Sequence, residues 1–315
     1  MFNSISEIQT AMAEANYICE RPLATAIYLA QKLGKPLLLE GHAGVGKTEV
    51  AKIITEILQT KLIRLQCYDG LDASHALYEW NYPRQIMAIN VAELGGHTQH
   101  DDRDDLIEKD IFNEKFLLTR PLLEAITSDS KIPVVLLIDE IDRADEEFEA
   151  FLLEVLSDFQ ITIPELGTIK AKVSPYVIVT SNGTRELNDA LKRRCIYHWI
   201  ESPSSEKELS IVLRKIPDLP ANLARQICAF HKRIKSMDLL SFPGMVETLN
   251  WALNLLRMSR DTIDEETFEE AMGCLLKYQE SMDNYKSMLK ATQTTCGMHD
   301  ELNNGEDSDS GNSGC

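Results

Sequence analysis

The stretch G-H-A-G-V-G-K-T, Gly41 to Thr48, decides the fold. It fills every position of the spacing G-x-x-x-x-G-K-[ST]. An apolar run, P-L-L-L-E at 36–40, leads into it, and E-V-A-K-I-I-T-E-I-L at 49–58 follows with helical spacing. Strand, glycine-rich loop and helix in that order make a cradle for phosphate. The glycines let the backbone curl and aim its N–H groups inward. The start of the helix adds partial positive charge where an anion would sit. In this reading Lys47 reaches the β- and γ-phosphates of ATP and the Thr48 hydroxyl is a magnesium ligand. The expected nucleotide-binding set is Gly41, His42, Ala43, Gly44, Val45, Gly46, Lys47, Thr48 and Glu49. His42 and Ala43 fill free positions of the motif and are given no further role.

Outward from the loop, the next informative stretch is V-V-L-L-I-D-E at 134–140. A buried strand here delivers two acids at its carboxyl end, where ligands bind on open α/β sheets. Asp139 is the expected magnesium carboxylate. Glu140 is the expected residue that orients or deprotonates the attacking water. Asp142, Asp145, Glu146, Glu147 and Glu149 continue the acidic run and are read as the solvated face of the following helix. The strand Y-V-I-V-T-S-N at 176–182 ends in a small polar cluster, from which Asn182 is placed to bond the attacking water or the γ-phosphate. A short helix, E-L-N-D-A-L-K-R-R-C, then ends in Lys192, Arg193 and Arg194. Cations at a helix C-terminus are ordinary partners of its dipole, and Lys192 is read that way. An arginine here could instead reach the γ-phosphate of a neighbouring subunit.

These pieces sit in a chain organised in two parts. Strands are expected at 36–40, 62–66, 134–138, 176–180 and 196–200, alternating with helices, which signals a parallel sheet. After Ser202-Pro203 the apolar spacing becomes wholly helical, at 209–213, 223–234, 246–258 and 268–276. The expected domains are an α/β core at 1–202, a helical domain at 203–290 and an acidic, disordered tail at 291–315 that is rich in Gly, Ser, Asn and Asp. A hairpin is expected at 161–172, with Gly167 serving the turn. Tyr78, Trp80 and Tyr82 are read as packing between helices in preference to gripping a client.

Composition narrows the function classes. A net charge of −18 repels a phosphate backbone, so nucleic acid is not expected as the main partner. No apolar run reaches the about 18 residues of a membrane helix. The first ten residues lack a basic region followed by an apolar core, so no signal peptide is expected. The 7 cysteines are scattered and include no C-x-x-C, which fits reduced thiols in a cytoplasm. The loop G-G-H-T-Q-H-D-D-R-D-D at 95–105 carries His97 and His100, but no further spaced His or Cys supports a metal site.

The order of the pieces is similar to that of AAA+ ATPases, and more narrowly it resembles the MoxR group and its CoxD-like members. The stretches that carry the resemblance are L-L-L-E-G-H-A-G-V-G-K-T-E-V-A-K, L-I-R-L-Q-C-Y-D-G-L-D-A-S-H-A-L-Y-E-W-N-Y-P-R-Q, L-L-I-D-E-I-D-R-A-D-E-E-F-E-A-F-L-L-E-V-L-S-D-F-Q-I-T-I-P-E-L-G and T-S-N-G-T-R-E-L-N-D-A-L-K-R-R-C-I-Y-H-W-I. The resemblance covers roughly residues 15 to 260. The resemblance implies a P-loop NTPase of α/β class: a parallel five-stranded sheet of order 5-1-4-3-2 flanked by helices, followed by an all-helical lid. It implies Mg-ATP hydrolysis, a homo-oligomeric ring, usually a hexamer, and a partner with a von Willebrand factor A domain. The implied client is a metalloenzyme of the molybdenum hydroxylase type, matured or activated by the ATPase. Asn182 takes the sensor-1 role, Arg194 the arginine finger, with Arg193 as its understudy. One departure stands out: where a sensor-2 arginine would follow a proline, this chain has Phe242-Pro243-Gly244.

Other classes fit less well. A P-loop kinase has no need of Glu140 beside Asp139, and a G protein would show an N-K-x-D that is absent here. A nucleic-acid motor or clamp loader is disfavoured by the charge. An ATP-binding scaffold with little turnover stays open because of the glycine at the sensor-2 place.

Overall fold

The computed structural model describes residues 2–94, 112–235, 243–258 and 263. The loop expected at 95–105, the helix expected at 268–276, Phe242 and the tail expected from Ala291 lie outside these described residues. The chain divides into two compact units, Met1–Ser202 and Pro203 onward.

The first unit is built on five parallel strands. In chain order they are β1 (Leu37–Glu40), β2 (Leu62–Gln66), β5 (Val135–Asp139), β8 (Tyr176–Ser181) and β9 (Ile196–Trp199). Across the sheet they run β2-β5-β8-β1-β9, which in chain order of these five, read from the other edge, is 5-1-4-3-2, as expected. Burial explains why the middle three are readable as apolar runs. Every residue of β1 and β5 is buried, and so is all of β8 but its first, because helices cover both faces. The edge strands β2 and β9 instead alternate in exposure.

Successive side chains of these strands feed opposite cores. Leu37, Leu39, Val135, Leu137 and Ile178 pack under helices α1 (Ile5–Glu14), α2 (Arg21–Leu33) and α3 (Lys47–Leu58). Leu38, Leu136, Ile138, Val177 and Val179 face the other way. They meet α6 (Pro121–Ile126), through Leu122 and Leu123, and α7 (Glu146–Asp158), through Phe148 and Leu152. Helix α2 starts with Pro22 in its first turn and stops at Gly34 in the left-handed region, the expected signs of entry and exit.

Strand expectations shift by one residue at several ends. The third strand runs 135–139 in place of 134–138, since Asp139 still pairs with Gln66 of β2. The hairpin is present as β6 (Gln160–Ile163) and β7 (Gly167–Lys170), with Gly167 at φ 82 where the turn rejoins the strand. A second small sheet goes beyond the strands expected from the sequence. Strand β3 (Tyr78–Trp80), which follows the short helix α4 (Ala73–Leu77), pairs antiparallel with β4 (Leu117–Thr119). Trp80 is buried there, edge-on to Phe112 at 5.2 Å. Tyr82, by contrast, opens helix α5 (Tyr82–Leu94) as an exposed residue.

The second unit packs α9 (Ser205–Lys215), α10 (Ala221–Lys235) and α11 (Met245–Arg257) around fully buried Trp251. Gly244 is the N-cap of α11, and its N–H donates to the Glu247 carboxylate at 2.9 Å. Among the described residues no helix is long and apolar enough to cross a membrane, and no cluster of His, Cys, Asp and Glu has metal-site geometry.

Candidate functional site

The glycine-rich loop leaves the carboxyl end of β1 and turns into α3. Gly46 is the N-cap of that helix at φ 97, a left-handed conformation that a side chain disfavours. Gly41 is needed for a different reason: a Cβ built on it would stand 2.4 Å from the Ile200 carbonyl oxygen. Lys47 opens α3 and is 6% exposed. Its ammonium donates to the carbonyls of Gly41 and His42, both at 2.8 Å, so it lies inside the curl of the loop. Burial lowers its pKa, and Asp142, Asp139, Glu140 and Glu40 pull the other way. His42 sets its ring edge-on to Trp199 at 5.6 Å.

The strand ends of β5 and β8 bring the acids to this loop. Asp139 is 2% exposed and shares its Oδ1 between two hydroxyls, Thr48 Oγ1 at 3.0 Å and Thr180 Oγ1 at 2.6 Å. Its Oδ2 accepts from Arg64 Nε at 3.0 Å and Nη2 at 2.6 Å. Glu140 follows with φ 57 and ψ 52, the left-handed region in a residue that carries a side chain. Such a conformation costs roughly 1–2 kcal/mol. It is braced by the Glu140 N–H donating to Thr180 Oγ1 at 2.9 Å. The Glu140 carboxylate accepts from Gln66 Nε2 at 3.0 Å and from Arg143 Nη1 at 3.4 Å.

Asn182 comes just after β8, half-buried, and its backbone N–H donates to Asp142 Oδ1 at 3.1 Å. This corrects the reading of the acidic run as a solvated face. Asp142 is 4% exposed and also accepts from Thr184 N at 3.1 Å and Thr184 Oγ1 at 2.6 Å. Glu149 is fully buried, paired with Arg185 and accepting from Asn188 N at 2.8 Å. Asp145 caps α7 by accepting from Phe148 N at 2.8 Å, and Glu146 and Glu147 are exposed in its first turn. The run therefore divides: Asp142 ties the loop after β8 to the end of β5, Glu149 ties it to α7, Asp145 caps, and Glu146 and Glu147 are solvated.

Arg193 and Arg194 close helix α8 (Asp189–Arg194), and both are exposed. Arg194 donates to the Leu153 carbonyl and to Ser157 Oγ in the last turns of α7. The fold thus gathers Lys47, Thr48, Asp139 and Glu140, with Asn182 tethered beside them through Asp142. Within one chain Arg194 makes its bonds on α7.

Thr180, Gln66, Arg64 and Asp142 are site residues that the motifs do not mark. The signal for two of them is in the strand L-I-R-L-Q at 62–66, where the polar residues fall two apart and so share one face. Cys67 follows them as a buried thiol raised to about 12, chiefly by burial and further by Asp139, Asp142 and Glu140.

A family model for the AAA domain, dynein-related subfamily, matches residues 36–195, just over half of the 315-residue chain. The match runs from β1 through α8 and so contains the whole cluster just described. The chain belongs to the AAA family, dynein-related subfamily. Curated relatives include an uncharacterized protein of Staphylococcus aureus (strain bovine RF122 / ET3-1), 25% identical over 213 residues, 65% of this chain and 70% of the relative. Another, from Staphylococcus epidermidis (strain ATCC 12228 / FDA PCI 1200), has the same identity and coverage. Among solved structures this AAA chain is similar to Thermotoga maritima RuvB. One mutant form of RuvB aligns at 19% identity and TM-score 0.45, covering 86% of this chain and 70% of that one. A second structure, described as a Holliday junction branch migration motor, aligns at 18% and TM-score 0.43, covering 86% and 71%. That description belongs to RuvB.

Proposed function

We propose that this AAA chain hydrolyses magnesium-ATP and uses the cycle to remodel or mature a client enzyme, in the manner of the MoxR group and its CoxD-like members. One observation carries the hydrolytic part of this reading: Thr48 of the phosphate loop is bonded to the strand-end Asp139 across 3.0 Å. Two hard oxygen donors at that spacing, one neutral and one anionic, suit magnesium, which binds through a carboxylate and the substrate's phosphates. Thr48 and Asp139 would hold the ion, and the chemistry it supplies is neutralisation of charge on the phosphate oxygens.

The chain's own residues do the rest. Backbone N–H groups of 41–48 and Lys47 receive the phosphates. Glu140 takes a proton from water, and its fixed backbone and its bonds to Gln66 and Arg143 set where that carboxylate lies. Asn182 is held by Asp142 close to the same place and orients the water or the γ-phosphate. Arg194, or Arg193, acts on the γ-phosphate of a neighbouring copy in a homo-oligomeric ring, which we take to be a hexamer. The partner carries a von Willebrand factor A domain, and the client is a molybdenum hydroxylase.

The test uses purified components: an immature molybdenum hydroxylase, the von Willebrand factor A partner, this chain and Mg-ATP. Client activity should rise with time and should not rise with Glu140→Gln in place of the wild type. An equal gain with that variant, or without ATP, would remove the energy-driven role. Sedimentation with ATP should show a ring, and a monomer at every concentration would remove that part.

A further inference from the structure

Beyond the loop and the two acids, an arginine connects the site's carboxylates. Strand β2 is the sheet edge beside β5, and its register sets Gln66 opposite Asp139 and Arg64 opposite Leu137. In parallel strands residues so paired share a face, so Arg64, Gln66 and Asp139 project to the same side. The Arg64 guanidinium puts Nε and Nη2 on Asp139 Oδ2 at 3.0 and 2.6 Å, and Nη2 also donates to Gln66 Oε1. Gln66 then spends its own donor on Glu140 Oε2 at 3.0 Å. The bonds form one line: Thr48, Asp139, Arg64, Gln66, Glu140.

The chemistry of each member gives the line a direction. A guanidinium only donates, so the oxygen end of the Gln66 amide must face it, and the NH₂ end is turned to Glu140. With an apolar side chain at 64 the amide is free to rotate, and an oxygen facing the carboxylate would repel it. Arg64 also brings a full positive charge onto Asp139, the carboxylate assigned to magnesium. That charge opposes a second cation at the same group.

We propose that Arg64 is a positioning residue for hydrolysis. It orients the Gln66 amide so that Glu140 is held in one place, and it tempers the charge of Asp139 toward magnesium. The proposal rests on the reading of Asp139 and Glu140 given above.

Two readouts test it: steady-state kcat and KM for ATP at saturating magnesium, and the magnesium midpoint for binding of a fluorescent ATP analogue. Arg64→Met should lower kcat roughly tenfold, the loss of a hydrogen bond to a charged group, and leave KM nearly unchanged. Its magnesium midpoint should fall, because the competing charge is gone. Arg64→Lys keeps the charge and loses the fork that serves two acceptors. It should restore the midpoint and leave kcat low. Arg64→Met combined with Gln66→Ala should turn over no more slowly than Gln66→Ala alone, since both break one line. Wild-type kcat in Arg64→Met, recovery of kcat in Arg64→Lys, or losses that multiply in the double variant would overturn the proposal. The underlying reading fails separately, if Asp139→Ala keeps the wild-type magnesium midpoint.

Discussion

Thr48 Oγ1 and Asp139 Oδ1 are 3.0 Å apart, although 91 residues separate them in the chain. The carboxyl end of β5 and the first turn of α3 can meet only because β5 and β1 run parallel with β8 between them. In the proposed function this hydroxyl and this buried carboxylate hold magnesium beside the phosphates.

Lys47→Ala should abolish ATP binding. Lys47 is the buried cation inside the loop, held by the Gly41 and His42 carbonyls. Removing the charged partner of a desolvated phosphate contact costs about a hundredfold or more in affinity. Isothermal titration checks it, and unchanged affinity would mean that another group carries the phosphates.

Asp142→Asn should destabilise the first unit and flatten its acid limb. Burial opposes ionisation of Asp142, but bonds from Thr184 and Asn182 prevail and hold its carboxyl below the usual carboxylate range. A carboxyl depressed in the folded state contributes stability above its unfolded pKa, about 3.9, and that contribution is lost as pH falls through the folded value. Asparagine has no such contribution to lose. We expect a cost of about 2–3 kcal/mol near neutrality, shrinking as the solution is acidified below about pH 4. Urea midpoints measured across that range check it, and parallel curves for the two proteins would count against the assignment.

The sequence revealed the strands that are buried on both faces, because burial forces apolar residues at every position. It did not reveal β3, since three residues, Tyr78–Trp80, with Glu79 between two aromatics make too short a pattern to distinguish from a turn. Thr48, Lys47, Asp139 and Glu140 were legible from local spacing. Asp142 and Glu149 were not: their partners, Asn182, Thr184, Arg185 and Asn188, lie 36 to 42 residues away. An acidic run looks the same whether its members are solvated or tied to a distant loop. Arg64 and Gln66 show only that they share one face of L-I-R-L-Q, and in an edge strand polar residues are ordinary.

Arg194→Ala should bind ATP almost normally and turn it over poorly. Fingers in other P-loop enzymes contribute about a thousandfold or more. Mixing it with Lys47→Ala protein should restore part of the activity, because some interfaces then pair an intact loop with an intact arginine. Within its own chain Arg194 braces α7 through the Leu153 carbonyl. If bracing is its whole role, the variant melts earlier, its turnover per folded subunit is unchanged and mixing rescues nothing. Phosphate release across a titration of the two variants, with melting temperatures alongside, separates the two outcomes.

In the proposed function this chain hydrolyses ATP with Glu140 as the base. The most direct measurement is steady-state phosphate release by the wild type and by Glu140→Gln, with nucleotide affinity taken on the same samples. The amide keeps the shape of the side chain and loses its basicity, which is worth about a hundredfold to ten-thousandfold in rate. The wild type should turn over many times, and the variant should keep wild-type affinity with release slowed by about that factor. Equal rates in the two proteins, or a wild type that binds magnesium-ATP and releases no phosphate, would contradict it.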